Sequence, residues 1–204
     1  MYGPSSGLRD LRYAIRLLRN SPGLSAVAIA TIALAIGANT AMFSFVNGVL
    51  LSPLPYPESN RIVRVLEKHP TGGLNGISTL NYLDWTNQNA VFEYIAGEVG
   101  WRATLTGGDE PVWIRGARVS AHYFDIFGAK PALGRTFLPG EDELGKDRVV
   151  LLSHVLWESR FGSDPAMLGR DILLDGEAHT VIGILQKDSP FDRTVAQIWK
   201  PLAF

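Results

Sequence analysis

The hydrophobic pattern divides the chain into an apolar front part and a longer part that alternates strands and helices. From Leu24 to Leu51, 20 of 28 positions are Ala, Val, Ile, Leu, Met or Phe, and no charged residue occurs from Asn20 to Pro57. A membrane helix needs about 20 apolar residues. At 1.5 Å per residue the stretch would be about 42 Å long, which predicts one tilted spanning helix with a stalk over residues 23–52.

Two other interpretations of the apolar stretch stay open. Ala33-Leu34-Ala35 has the small-x-small pattern of a signal-peptide cleavage site, although the apolar run continues beyond it to Leu51. A buried helix of a soluble protein fits less well, because a helix that is apolar on every side has no face for solvent.

A short amphipathic helix is predicted ahead of the span. Apolar residues recur there at helical spacing, at Leu8, Leu11, Ile15 and Leu18. The flanking positions carry four arginines, Arg9, Arg12, Arg16 and Arg19. Residues 1–22 are therefore predicted to form an elbow helix on the cytoplasmic membrane surface, with the arginines facing anionic lipid headgroups. A role of the arginines as a topology signal alone stays open.

The span carries a stripe of small residues. The stripe consists of Ala33, Gly37, Ala41, Ser44 and Gly48. Small residues let a second helix approach closely, so we predict a helix-packing face rather than a lone anchor, which remains the alternative.

Strands and short helices alternate after a proline-rich linker over residues 53–60. The pattern predicts a strand at Arg61–Glu67, a helix over Leu80–Asn89 and a helical turn at Phe92–Ala96. A hairpin over 98–106 and 112–120 and a short helix over 121–127 follow. After a Pro/Gly-rich connection over 130–145, the pattern predicts a strand at 148–153, a helix at 154–161 and a hairpin over 171–174 and 179–185.

This order predicts an α+β fold. Strand, helix and hairpin recur in the same order in both parts of the segment 61–204. We therefore expect one N-terminal transmembrane helix followed by a domain of two β-α-β-β-like units, each a sheet covered on one face by helices.

The charge distribution predicts on which side of the membrane each part of the chain lies. Residues 1–57 carry four arginines and one acid, and residues 58–204 carry the other 15 basic and 19 acidic residues, so the two parts have net charges of +3 and −4. The positive-inside rule then places the N-terminus in the cytoplasm and residues 58–204 on the outer side. The overall charge of −1 gives no positive field for nucleic acid.

No catalytic or metal-binding pattern emerges from the sequence. The absence of cysteine excludes disulfides, thiolate metal sites and a cysteine nucleophile. Residues 140–147 have the G-x4-G-K skeleton of a phosphate loop, but Asp147 replaces the required hydroxyl residue. The four histidines fit no zinc pattern, and no G-x-S-x-G elbow surrounds Ser153-His154. We predict no enzymatic activity, metal site or cofactor in this chain.

Several motifs resemble one family. The run from Ser21 to Pro57 resembles the first membrane helix of MacB/FtsX-type ABC-transporter permeases, in their orphan-permease branch. Four later segments look like the MacB-type periplasmic core domain. They are R-G-A-R-V-S-A-H-Y-F-D-I-F-G (115–128), P-A-L-G-R-T-F-L-P-G-E-D (131–142), R-V-V-L-L-S-H-V-L-W-E-S-R-F-G-S-D-P (148–165) and L-D-G-E-A-H-T-V-I-G (174–183).

The resemblance implies a transporter subunit in a bacterial inner membrane. It implies a permease that works as a dimer with a cytosolic ABC ATPase, and in some relatives with a periplasmic adaptor, and that relays ATP-driven motion to residues 61–204 for efflux or export. ATP would act only through the separate ATPase. Relatives carry further membrane helices, so we expect this chain to be the front part of a longer permease or a truncated product.

Two other functions stay open. The first is a stand-alone, membrane-anchored periplasmic module that binds a protein without transport. The second is a tethered periplasmic enzyme using His122 or His154. As surfaces for partners we single out the acidic loop of Glu141, Asp142 and Glu143 and the glycine-rich loop Gly72–Gly76, because loops commonly carry function.

Overall fold

The computed structural model describes residues 13, 15–16, 18–51, 54, 56–108 and 110–203. The chain divides into two compact units, Met1–Pro53 and Leu54–Phe204. Among the described residues, those of the first unit are almost all helical, and every strand belongs to the second unit.

Helix α1 of the first unit spans Pro22–Val46 and continues into a π-helical turn at Asn47–Leu51. Pro22 suits the first turn of a helix, where its missing N–H would have no intrahelical partner. Ser21 is non-helical and separates α1 from helical residues 13, 15–16 and 18–20. By length and composition α1 can cross a membrane, a test that a signal sequence also passes.

One seven-stranded mixed sheet dominates the second unit. Its strands are β3 (Glu98–Thr106), β4 (Val112–Val119), β5 (Pro131–Gly134), β6 (Val149–Leu152), β7 (Asp171–Leu174), β8 (Glu177–Leu185) and β9 (Ile198–Pro201). They lie in the order β5-β8-β6-β9-β4-β3-β7, and β7 also pairs with β8. That last pairing closes six strands into a barrel, and β5 extends from β8.

The remaining elements are short. β1 (Glu67–Lys68) and β2 (Leu74–Asn75) form a small antiparallel pair. The helices are α2 (Thr79–Asn87), α3 (Tyr123–Ile126) and α4 (His154–Phe161), with 3-10 turns at Ser59–Arg61, Pro165–Met167 and Pro190–Arg193. The Ser78 and Ser153 hydroxyl groups cap α2 and α4 by accepting N–H groups of the first turn. Gly162 ends α4 with φ +61°.

Two hydrophobic cores lie on the two faces of the barrel wall. The barrel core draws buried side chains from all six barrel strands, whereas the outer core uses β4, β6, β8, β9 and α3. β9 contributes to both, since Ile198 belongs to the barrel core and Trp199 to the outer core. Side chains alternate across a strand, so β9 is buried on both faces.

The α+β class with one N-terminal apolar helix is confirmed, but the strands of both predicted units share one sheet. The expectation of one sheet for each unit is replaced by the closed barrel. In the predicted strand Arg61–Glu67, only Glu67 pairs with another strand among the described residues. The alternating pattern is present there, but no neighbouring strand lies beside residues 62–66.

The predicted helical turn at Phe92–Ala96 is wrong. The Asn89 side chain accepts the N–H groups of Val91 and Phe92, at 3.1 and 2.8 Å, and so favours a local turn over a helix. Strands β5 and β9 were not predicted. β5 lies in the Pro/Gly-rich connection, where Gly134 has φ +75° and a Cβ would lie 2.2 Å from the Ile182 carbonyl oxygen.

Candidate functional site

The first residues of the second unit are held by aromatic rings. The Tyr56 ring lies 4.7 Å from the Phe127 ring and 6.4 Å from the Phe191 ring, measured between ring centroids. We call Tyr56, Pro57, Phe127, Gly128 and Phe191 the junction anchor. It holds the point at which the chain enters the domain after the apolar helix.

Gly128 makes the close approach of Pro57 possible. Its φ of +60° is a left-handed conformation, and a Cβ on it would lie 2.8 Å from Pro57 Cγ. A side chain at this position would therefore be strained and would also displace the proline.

The junction anchor is continuous with the outer core. The Phe191 ring packs edge-on against Trp199 at 5.9 Å and lies 5.2 Å from Phe124. Phe191, Phe124 and Trp199 are all buried. Close-packed rings transmit displacement because they have no free space to absorb it. A shift of Tyr56 and Pro57 would thus reach the core of the domain.

A shallow pocket of about 260 Å³ adjoins the junction anchor. It is lined by Pro57, residues 127–130 and residues 186–191. The buried Ser189 hydroxyl has no hydrogen-bond partner within the described part of the chain. Ser189 carries the only hydroxyl group among these lining residues.

A polar cluster closes one end of the barrel interior. The Lys200 ammonium lies 3.0 Å from an Asp147 carboxylate oxygen and 3.4 Å from His179 Nε2. The same ammonium is 5.6 Å from the centre of the Trp101 ring, and the Arg118 guanidinium lies 5.7 Å from that ring. The cation is thus satisfied by a carboxylate and an aromatic face.

The cluster shifts the pKa values of two members. Burial and the nearby Lys200 charge lower the pKa of His179 below its usual 6.5, because both disfavour the imidazolium. Burial alone would raise the pKa of Asp147, but the hydrogen bond and charge of Lys200 outweigh it and lower that pKa below 3.8. The neutral histidine and the charged lysine–aspartate pair form a structural network.

The acidic loop is engaged within the domain. The Glu141 carboxylate accepts two hydrogen bonds from the Arg135 guanidinium, at 2.9 and 2.6 Å. Asp142 accepts the Ala121 N–H at 3.0 Å, and Glu143 pairs with Lys146 at 2.6 Å. Burial would raise the pKa of Glu141, but Arg135 and the Leu138 N–H lower it overall. These contacts give the loop a structural role, and its use as a partner surface stays a prediction.

The predicted membrane-facing residues lie on exposed helical positions where they are described. Arg16 and Arg19 are exposed and helical, whereas Arg9 and Arg12 lie outside the described residues. The small-residue stripe is exposed along α1 and its π-helical turn at Ala33, Gly37, Ala41, Ser44 and Gly48. Its role in helix packing stays a prediction.

The other sequence candidates are the glycine-rich loop and two histidines, of which His154 has a buried Nδ1 without a hydrogen-bond partner among the described residues. The glycine-rich loop Gly72–Gly76 includes the turn between β1 and β2. His122 Nδ1 lies 3.0 Å from Asp125, and His154 packs against Trp157. Within the described ranges, no group of three or more histidine, aspartate or glutamate side chains is placed to hold a metal.

A family model matches residues 25–203, described as the MacB-like periplasmic core domain. The chain belongs to this family. The match runs from within α1 through β9, and it confirms the resemblance to MacB/FtsX-type permeases. This family is a domain of transporter permeases and not a family of enzymes.

Two solved structures share the fold of this MacB-like domain. The extracellular domain of YknZ, a noncanonic ABC-type transporter from Gram-positive bacteria, is 19% identical with a TM-score of 0.50 over 62% of this chain. The periplasmic region of MacB from Actinobacillus actinomycetemcomitans is 16% identical with a TM-score of 0.50 over 71% of this chain. The chain covers 63% and 58% of these two structures, respectively. Comparison with curated proteins gives no significant match.

Sequence reasoning missed the two most distinctive arrangements of the MacB-like domain. The proline-rich pattern of residues 53–57 predicts only a rigid linker, and the tyrosine between two prolines is its one signal for the junction anchor. Lys200 was not singled out, because a lysine in a four-residue segment gives no sign that it is buried.

Proposed function

We propose that this chain is the N-terminal part of an ABC-transporter permease subunit. It transmits ATP-driven motion from a cytosolic ATPase to the MacB-like periplasmic domain, for efflux or export. The observation that carries this proposal is the family match over residues 25–203, which takes in most of the apolar helix and the domain in one chain.

Each part of the chain has its own role in the proposed transmission of motion. Arg16, Arg19 and the arginines before them hold the N-terminal segment at the cytoplasmic surface of the inner membrane. The small-residue stripe on α1 packs against other membrane helices. Motion that travels along the chain reaches the domain first at Tyr56 and Pro57, where the junction anchor passes it to the outer core.

The proposal involves three protein partners and the bilayer. Two of the partners, a cytosolic ABC ATPase and a second permease copy, belong to the transport mechanism itself; the third, a periplasmic adaptor, takes part in some relatives only. ATP is bound and hydrolysed by the ATPase. Residues 58–204 lie on the outer side of the membrane, periplasmic or extracellular, and the N-terminus lies in the cytoplasm, as expected from the excess of arginine before the span.

A photo-cross-linking amino acid at Arg16 tests whether a cytosolic ATPase lies beside the N-terminal segment. The full chain is expressed in its native bacterium, and cross-linked proteins are identified by mass spectrometry. We expect an ABC ATPase, recognised by its nucleotide-binding sequence motifs, to be captured from position 16. The same cross-linker at the exposed Glu158 of the domain is the control and should capture no ATPase.

Two outcomes would contradict the proposal. Capture of an ATPase from position 158 but not from position 16 would reverse the assigned sides. Absence of an ABC ATPase from both positions would leave a membrane-anchored periplasmic binding module without transport activity.

A further inference from the structure

His179 is a buried histidine whose two ring nitrogens have different partners. It lies on β8 and is 2% exposed. Its Nδ1 lies 3.1 Å from the Glu177 carbonyl oxygen, and its Nε2 lies 3.4 Å from the Lys200 ammonium. A carbonyl oxygen can only accept a hydrogen bond, and an ammonium group can only donate one. The two partners therefore assign a neutral ring that carries its hydrogen on Nδ1 and presents the lone pair of Nε2 to Lys200.

A second proton on His179 does not fit this arrangement. It would bind Nε2, because Nδ1 already carries a hydrogen, and it would point at the Lys200 ammonium. Two cationic donors would then face each other across 3.4 Å in the barrel interior, where water screens them poorly. Protonation of His179 thus requires that the Lys200 ammonium move away.

The groups around the ring do not compensate for the added charge. On β7, the residue directly opposite His179 is the apolar Ile172. Asp147 is an acid, but it lies 3.0 Å from Lys200 and neutralises that cation. Burial and the Lys200 charge accordingly lower the pKa of His179, and the opposing effects of Glu177 and Asp147 do not reverse this. The charged groups facing the ring are Lys200 of β9, Asp147 ahead of β6 and Glu177 of β8, with Arg118 of β4 next to them across the Trp101 ring of β3.

A displaced Lys200 would loosen β9 and the residues that pack on it. All four residues of β9 are buried, and Lys200 is held there by its ion pair with Asp147. The preceding residue, Trp199, lies on the opposite face of the strand, where its ring packs edge-on against Phe191 at 5.9 Å. Phe191 belongs to the junction anchor and lies 6.4 Å from Tyr56. Because these rings are closely packed, a shift of β9 reaches the start of the domain.

We propose that His179 and Lys200 form an acid-sensitive latch on β9. One proton from the surrounding solution binds His179 Nε2, and the Lys200 ammonium leaves its place beside Asp147. β9 and the junction anchor then loosen while the rest of the barrel stays folded. An acidic outer side thereby weakens the transmission of motion into the domain, and in this respect the latch rests on the proposed function.

Hydrogen exchange of the full chain in detergent tests the latch. Exchange is followed by mass spectrometry at about pH 7.5 and about pH 5.5, and each rate is corrected for the intrinsic pH dependence of amide exchange. Residues 196–202 report on β9. Residues 124–129 report on the junction anchor, where the Gly128 and Ala129 N–H groups donate to backbone carbonyls at 3.0 Å. Residues 103–106, at the hairpin end of β3, report on unfolding of the whole domain.

The expected rise in exchange follows from the binding of one proton. Once Lys200 has moved, the imidazole has its ordinary pKa of 6.5, so the population of the open latch rises about tenfold between the two pH values. Exchange should therefore rise about tenfold in residues 196–202 and at least about threefold in residues 124–129. It should rise less than about twofold in residues 103–106, because the barrel stays folded.

Two substitutions by glutamine separate the latch from other effects of acid. His179→Gln binds no proton, and its amide oxygen can accept the Lys200 hydrogen in place of Nε2, so it should abolish the rise in β9. His154→Gln is the matched control. That histidine is also mostly buried, but its Nδ1 lies 3.9 Å from the Glu158 carboxylate rather than beside a cation, so the variant should keep the full rise.

Three results would overturn the latch. They are an equal rise in all three segments, a rise in β9 that His179→Gln leaves unchanged, and a rise around residues 177–181 without one in β9. The comparison of segments within the unaltered chain decides the question even if a variant fails to fold. None of these results changes which ATPase position 16 captures, so the latch and the proposed function fail separately.

Discussion

The Lys200 ammonium lies 3.0 Å from the Asp147 carboxylate at the polar end of the barrel interior. The lysine is almost fully buried, whereas the aspartate side chain keeps 21% of its exposure. A buried cation without a carboxylate is costly, because water no longer solvates it. The pair therefore fixes the position of β9, which carries Lys200 between β4 and β6.

Asp147→Asn should lower the free energy of unfolding by about 2–3 kcal/mol, since it leaves the ammonium with an uncharged partner. Chemical denaturation of the full chain in detergent measures the loss. Glu143→Gln makes the same change in the exposed pair with Lys146, where each side chain is more than 60% exposed, and should cost less than about 1 kcal/mol. Equal losses would contradict a special role of the buried pair.

Acid should weaken the domain below neutral pH. The pKa of His179 is lowered in the folded state, so the unfolded chain binds the proton more readily. The contribution of neutral His179 to the free energy of unfolding is therefore complete above pH 6.5 and declines as pH falls through the folded pKa. The groups around His179 are Lys200, Asp147 and Glu177. The lowered pKa values of Asp147 and Glu141 extend the loss below pH 4.5.

His179→Gln should reduce the fall in the free energy of unfolding between about pH 7 and 5. The further loss at lower pH, which comes from Asp147 and Glu141, should remain. Denaturation curves at a series of pH values provide the measurement. His69→Gln alters an exposed histidine and should follow the unaltered protein. An unchanged pH profile in His179→Gln would assign the sensitivity to other groups.

Comparing two glycines with nearly the same φ separates the cost of backbone strain from the cost of a steric clash with a neighbouring residue. Gly128 and Gly162 have φ values of +60° and +61°, but only Gly128 faces Pro57, and a Cβ on Gly162 would meet nothing within 4 Å. Gly162→Ala should cost about 1–2 kcal/mol from left-handed strain alone. Gly128→Ala should cost at least about 1 kcal/mol more, through displacement of Pro57.

Limited proteolysis gives the local readout for this pair. Gly128→Ala should speed cleavage near residues 52–57, whereas Gly162→Ala should leave that cleavage rate unchanged. If both variants behave alike in stability and proteolysis, the junction anchor does not hold the start of the domain.

The acidic loop should respond to substitution according to burial. Glu141→Gln removes the charge from a pair whose glutamate side chain is only 17% exposed, and should cost about 1–2 kcal/mol. The midpoint of thermal unfolding of Glu141→Gln should therefore be well below that of Glu143→Gln. A larger loss in Glu143→Gln would mean that the contacts of Glu141 with Arg135 and Leu138 do not stabilise the loop.

Local patterns predicted the elements that are stabilised locally. The helix over His154–Phe161 has a capping serine and a terminal glycine, and Asp175-Gly176 supplies the positive φ values of the β7–β8 turn. These features depend on neighbours in sequence, so one sequence suffices to find them.

Elements stabilised by distant residues were not predictable in the same way. β9 is held between β4 and β6, and its buried Lys200 depends on Asp147, which is far away in the sequence. Conversely, Arg61–Glu67 has a strand-like pattern but lacks a partner along most of its length among the described residues. The junction anchor joins Tyr56 to Phe127 and Phe191, a contact that periodicity cannot reveal.

The central claim is that one N-terminal membrane helix places the domain on the outer side of the membrane. A measurement of membrane topology tests this claim most directly. Because the chain has no cysteine, Ser5→Cys and the exposed Ser159→Cys each introduce one thiol. In spheroplasts, a membrane-impermeant maleimide should label position 159 at once and position 5 only after lysis. Labelling of position 5 but not 159 before lysis, or loss of position 5 by cleavage, would contradict the account.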